Sequence, residues 1–228
     1  TDAVTSCLKR YGALAIWDFA GGAPYIEMEM GHGRYAKDAI VFSPHKFPGG
    51  PGASGVLVLR NDIAQRNQPT QSGGGTVRFV SPWGHHYLEN LVQREEAGTP
   101  NIIGDIRAAL VMMIKSALGQ QWFDRRHTEL RAQAVEAWKN ARGLQLLGDQ
   151  HIARVPIFSF QIRDEDNNLF HHQYITRLLS DLHGIQARGG CACAGPYAHR
   201  LLHIEKATSD DLLRNILAGN EVEKPGWV

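Results

Sequence analysis

Lys46 follows a short apolar run, Ala39-Ile40-Val41-Phe42. It opens a glycine-rich stretch, in the order Ser43-Pro44-His45-Lys46-Phe47-Pro48-Gly49-Gly50-Pro51-Gly52-Ala53-Ser54-Gly55. A lysine at a strand end, fixed by prolines and approached closely by glycine backbone, has what an amine nucleophile toward a carbonyl group requires. Most lysines are solvated loop residues. The neighbours therefore have to carry the chemistry.

Asp18 closes another apolar run, Ala15-Ile16-Trp17, and stands 28 residues before Lys46. An aspartate at a strand end can simply turn or cap the chain. It can also face the ring nitrogen of pyridoxal phosphate, where a carboxylate keeps that nitrogen protonated and the ring an electron sink. Together the two strand ends would hold one cofactor at two points. Gly50, Gly52 and Gly55 formally match the dinucleotide fingerprint G-x-G-x-x-G, but that fingerprint opens a helix. Here the strand-like Val56-Leu57-Val58-Leu59 follows, which excludes the match.

Cys191 and Cys193 stand one residue apart after Arg188-Gly189-Gly190. A reactive cysteine needs an accessible thiolate of lowered pKa, whereas two small residues buried in a tight turn are the structural alternative. With His199 and His203 they spell C-x-C followed by H-x3-H. The cysteine spacing is tighter than usual for zinc, so no metal is assigned. His85-His86 and His171-His172 read as surface or interface residues whose side chains point in different directions.

These residues sit on a recognisable framework. The chain has 228 residues with 43% hydrophobic content, enough for a core. Its 24 Lys and Arg balance 23 Asp and Glu, so nothing points to nucleic acid. Three cysteines make no disulfide framework, and no segment has the length of a membrane span or the apolar core of a signal peptide, so a cytoplasmic protein is expected. Strands are expected at 13–18, 39–43 and 56–59, apolar enough to be buried on both faces. An opening helix is expected from residue 4, and an irregular stretch over 81–100. A helix from Asn101 to Gly119 is expected with Ile102, Ile103, Ile106, Leu110, Met113, Ile114 and Leu118 on one face. Further helices are expected at 122–141, 171–183 and 209–218, and strands at 155–162 and 185–188.

The runs WDFAGGAPY, SPHKFPGGPGASGVLVLR, GGGTVRFV, REEAGTPNIIGDIRAAL and GIQARGGCACAGP follow the order found in class V pyridoxal-phosphate enzymes. The chain resembles a cysteine desulfurase-type member. That resemblance implies pyridoxal 5'-phosphate as cofactor, Lys46 as the Schiff-base lysine and Asp18 as the partner of the pyridine nitrogen. It also implies Ser43 and His45 at the cofactor phosphate, and Thr99 at a phosphate across a homodimer interface. Cys193 falls where one desulfurase branch has its sulfur-accepting nucleophile, and the R-x-G-C-x-C pattern also resembles molybdenum-cofactor sulfurases. Gly21 stands where desulfurases carry Gln or His. The family's substrate-carboxylate arginine is not matched, and Arg188 is the stand-in.

The implied fold is α/β. It comprises the C-terminal part of a fold-type I large domain, a mainly parallel sheet with helices over 1–118, plus a smaller α+β domain over 119–228. The chain is thus expected to be a fragment without the N-terminal half and the extreme C-terminus. The implied activity is transfer of sulfur from cysteine to an enzyme cysteine with release of alanine, and a sulfur-acceptor protein as possible partner. A class V aminotransferase and a non-catalytic scaffold domain are the alternatives.

Overall fold

The apolar runs beneath Asp18 and Lys46 pair with each other. In the computed structural model, which describes residues 1–152, 154–191 and 194–228, β1 (Ile16–Asp18) runs parallel to β2 (Ala39–Phe42), with Asp18 opposite Val41. β2 runs antiparallel to β3 (Val56–Leu59), giving the order β1-β2-β3. Side chains alternate between the two faces of a strand. Trp17, Ile40, Phe42 and Val56 accordingly pack with Phe19, Ala23, Phe47 and Val111 in one core.

Two expectations are corrected here. The sheet is mixed rather than mainly parallel. A parallel return usually needs a crossover helix, and residues 43–55 hold only the 3-10 turn Pro44–Lys46 and a glycine-rich loop, so the chain comes back antiparallel. The strands are also not buried on both faces: Ile16 is 62% and Leu57 57% exposed on the face opposite the core. Apolar sequence alone does not say whether a second layer covers a sheet.

The chain divides into two compact units, 1–126 and 127–228. In the first, α1 (Asp2–Arg10) buries Thr5, whose hydroxyl accepts a hydrogen bond from the Trp17 indole N–H at 2.9 Å. Beyond the sheet lie a hairpin, β4 (Val77–Ser81) and β5 (Gly84–Tyr87), and a short helix, α2 (Leu91–Glu95). The stretch expected to be irregular therefore holds ordered elements. Pro82-Trp83 makes a two-residue turn that the weak alternation of the flanking residues obscures. α3 (Ile102–Leu118) is capped by the Asn101 side chain, which accepts from Gly104 N–H at 3.1 Å. Its buried side is Gly104, Ala108 and Val111. The stripe of larger apolar residues faces out, with Met113 65% exposed. Small residues win the inner face because backbone meets backbone there: Ser54 N–H donates to Gly104 O at 3.1 Å. The division between the units falls within α4 (Gln120–Trp138).

The second unit contains the antiparallel pair β6 (Leu144–Leu146) and β7 (Phe160–Ile162), then α5 (His172–His183), α6 (Gly195–Leu201) and α7 (Lys206–Leu217). β7 is shorter than the expected strand at 155–162, and residues 185–188 form no strand. Its buried core is small, Leu147, Ala198 and Trp227, with Cys191, Leu201 and Leu202 packed against it. The architecture is therefore a mixed sheet with helices in one unit and a small antiparallel sheet with helices in the other. This replaces the expected remnant of a parallel fold. Among the described residues no helix is long and apolar enough to cross a membrane.

Asp38, just before β2, is buried and holds the sheet together. Its carboxylate accepts from Lys9 Nζ at 2.6 and 2.5 Å and from Ala15 N–H at 2.7 Å. Burial alone would raise this carboxyl. The Lys9 and Ala15 bonds and the charges of Lys9 and Arg60 outweigh it and hold the pKa below the ordinary aspartate value. A depressed carboxylate pKa stabilises the fold above its unfolded-state value, and that stabilisation is lost as pH falls through the folded value. Urea unfolding of wild type should therefore show stability falling below about pH 4, with a shallower fall in Asp38→Asn. Lys9→Met should cost about 1–3 kcal/mol at pH 7 by leaving the buried carboxylate under-satisfied. Equal pH slopes for wild type and Asp38→Asn would show that Asp38 does not carry this term.

Candidate active site

Because β1 and β2 are parallel and in register, their C-terminal ends lie side by side. Asp18 is the last residue of β1, and Ser43 follows the last residue of β2. Ligand sites in α/β sheets form beyond the carboxyl ends of such strands. Pro44, His45 and Lys46 make one 3-10 turn at this edge, with Lys46 N–H donating to Ser43 O at 3.0 Å. Pro44 and Phe47 are buried as anchors, Ser43 is half-buried, and His45 and Lys46 are exposed. A rigid pedestal thus presents two polar side chains outward.

The turn is braced from below. α3 packs against it, and Gly50 N–H donates to Phe47 O at 2.9 Å. A Cβ on Gly50 would lie 2.0 Å from Pro44 O, so only glycine fits. Arg107 Nη1 donates to Pro51 O at 2.9 Å. Lys115, also on α3, donates to Ala23 O at 2.5 Å and to Ile26 O, and its ammonium lies 5.7 Å from the centre of the Phe47 ring. Burial lowers the Lys115 pKa, an effect that Glu27 and Asp124 partly offset. Sequence reasoning missed Lys115 and Arg107. The available signal was a lone lysine late in an otherwise apolar helix, LVMMIKSAL.

Asp18 is exposed and accepts from Ala20 N–H at 2.7 Å through Oδ1, so the turn role is realised, while Oδ2 is left for another donor. One sheet edge therefore offers a carboxylate, an amine, a hydroxyl and an imidazole. That donor set fits pyridoxal phosphate, with the carboxylate for the ring nitrogen and the hydroxyl and imidazole for the phosphate. Thr99 is exposed on a separate segment, beside the glycine turn: Gly98 N–H donates to Gly74 O at 2.8 Å. It does not cap α3, since Asn101 does.

Arg188 and Cys191 belong to the second unit. Arg188 is exposed, and Cys191 is half-buried against Leu147, Ala198 and Trp227. Cys193 lies outside the described residues. Among the described residues no three His, Cys, Asp or Glu side chains converge to hold a metal. His199 is engaged at both ring nitrogens, with Gly195 O and Ser209 Oγ, each at 2.9 Å. His171 and His172 do not diverge: their rings lie 4.2 Å apart, because His171 is the non-helical cap residue of α5.

The family model for aminotransferase class-V matches residues 1–208. The chain belongs to that family. It is 27% identical over 187 residues to a probable cysteine desulfurase of Staphylococcus aureus, covering 82% of this chain and 43% of that protein. It is 33% identical over 159 residues to a cysteine desulfurase of Pectobacterium carotovorum, covering 70% and 37%. Its fold superposes on a cysteine desulfurase from Thermococcus onnurineus with a TM-score of 0.73 and 26% identity, over 88% of this chain and 48% of that one. The chain thus spans less than half the length of these relatives. The expectation of a fragment is corrected in this respect alone: the class-V model matches 1–208 and the superposition takes in 88% of the chain, so the match runs nearly the length of the chain.

Gly50→Ala tests the pedestal. The overlap with Pro44 O should cost about 1–3 kcal/mol of stability and displace the Lys46 turn. Thermal unfolding and the yield of borohydride-trapped pyridoxal phosphate on Lys46 read the two effects. Wild-type values of both would contradict the packing described.

Proposed function

We propose that this chain carries the cofactor lysine of a pyridoxal-phosphate enzyme acting on an amino acid, of cysteine desulfurase type. The observation that carries the reading is the pairing of Asp18 and Lys46 on one C-terminal edge of the parallel pair β1-β2, within a class-V chain. The similarity to cysteine desulfurases supports the choice of cysteine as substrate.

Bound pyridoxal phosphate would supply an electron sink conjugated to the substrate α-carbon. Asp18 Oδ2 holds the proton on the ring nitrogen. Lys46 Nζ would hold the cofactor at its carbonyl carbon and would move protons at the substrate α-carbon, a role its exposure at the turn allows. Ser43 Oγ and the His45 ring hold the phosphate. Thr99, on an exposed segment, reaches the phosphate of a second copy in a homodimer. Arg188 binds the substrate carboxylate. Cys193 accepts the sulfur: cysteine and the enzyme thiol give alanine and an enzyme persulfide, which an acceptor protein then discharges. Cys191 packs on the core beside Trp227, which favours Cys193 for this role.

With pyridoxal phosphate, borohydride should trap an adduct on Lys46 that Lys46→Ala lacks. Asp18→Asn should retain the adduct and lose about 10²-fold or more in alanine formation from cysteine. Cys193→Ser should form neither alanine nor persulfide. A silent Cys193→Ser with 2-oxo acid produced from an amino donor would select the aminotransferase. Absence of any trapped adduct would select a scaffold.

A further inference from the structure

The segment Lys224 to Val228 pairs with the chain at Gly190, next to Cys191. Gly190 and Trp227 exchange reciprocal backbone bonds, Gly190 N–H to Trp227 O at 3.0 Å and Trp227 N–H to Gly190 O at 3.1 Å. Val228 and Phe160 do the same at 3.0 and 2.9 Å, which fastens the segment to β7. The Trp227 side chain is buried in the cluster on which Cys191 packs.

Three residues at the start of α5 clamp this arrangement from the other side. His171 and His172 each point Nε2 at a backbone carbonyl, Val222 O at 2.9 Å and Lys224 O at 3.2 Å. A carbonyl only accepts, so both Nε2 atoms carry the proton. His171 Nδ1 then accepts from Gln173 N–H at 3.2 Å, and Gln173 Nε2 donates to Gly189 O at 3.1 Å. His172 Nδ1 is left as a buried lone pair without a partner. Burial lowers the His172 pKa against the opposing effect of the Lys224 carbonyl, in keeping with a neutral ring. The contacts are close enough to exclude side chains: a Cβ on Gly189 would lie 3.0 Å from His172 Nδ1, and one on Gly226 would lie 2.7 Å from Gly190 Cα. A buried acceptor left unpaired is costly. The ring is therefore kept by what its other nitrogen holds.

We propose that Lys224 to Val228 is the seat that fixes how the chain enters the cysteine pair, and that His172 is the positioning residue that holds the seat through Lys224 O. The seat's purpose rests on the sulfur-transfer reading, since a loop that accepts sulfur must be presented in one orientation. Its existence does not.

The test is thiol accessibility in the full chain carrying Cys193→Ser, so that the loop has one thiol, with exposed Cys7 as internal reference. Iodoacetamide labelling is followed by mass spectrometry. His172→Phe keeps a ring but loses the donor, and should speed Cys191 labelling by about tenfold, with Cys7 unchanged. Gly226→Ala should do the same without touching the histidine. His172→Gln retains an N–H that reaches Lys224 O and should restore slow labelling. Unchanged Cys191 in both opening variants overturns the proposal. So does a parallel rise at Cys7, which would mean general loosening, or a His172→Gln protein that behaves as His172→Phe. The measurement uses neither cofactor nor cysteine, so its failure and that of the desulfurase reading are separable.

Discussion

One buried carboxylate ties the first unit together. Asp38 accepts from Lys9 of α1 and from Ala15 N–H before β1, donates its own N–H to Ala15 O at 2.8 Å, and receives Arg60 N–H from beyond β3 at its carbonyl at 2.9 Å. Four segments thus meet at the N-terminal end of β2. A one-residue slip of a strand turns every side chain to the opposite face. With the start of the pairing held there, Asp18 falls opposite Val41, and the Lys46 turn emerges beside it. The placement of Asp18 beside the Lys46 turn follows from that register.

The turn itself is held by a different kind of force. Its buried residues, Pro44 and Phe47, are apolar, and its neighbours on α3 act through long cationic side chains that reach backbone carbonyls. Lys115 closes the segment containing Ala23 and Ile26 over the Phe47 ring, and Arg107 holds Pro51. The result is a surface lysine on a supported base. This is the geometry a covalent amine needs, since a nucleophile displaced by an ångström loses much of its advantage.

The placement of Asp18 at the end of one strand and of Lys46 just beyond another could be read because proline, glycine and apolar runs leave local signatures. The three strands of the sheet and the Asn101-capped helix were legible for the same reason. What misled was apolarity. Ile102, Ile103, Ile106 and Leu110 mark a helix face correctly, yet the face that packs is Gly104, Ala108 and Val111, since the glycine loop approaches to hydrogen-bonding distance of the helix backbone. The hairpin at Val77 to Tyr87 and the helix at Gly195 to Leu201 were missed because their periodicity is too short to register. The pairing of Gly190 with Trp227 joins residues 37 apart in the chain, and no local pattern announces it.

By itself, the amino-acid sequence determined the family, the strand ends that carry Asp18 and Ser43, and the capped end of the long helix, because each depends on residue type and near neighbours. Only the tertiary structure decided that the sheet is mixed with one face bare, that Lys115 and Arg107 brace the lysine turn, and that two neighbouring histidines hold the segment that pairs with Gly190. Those outcomes depend on which distant backbone groups find each other as donors and acceptors. Hydrogen-bond partners separated by tens of residues are chosen by the folded chain as a whole.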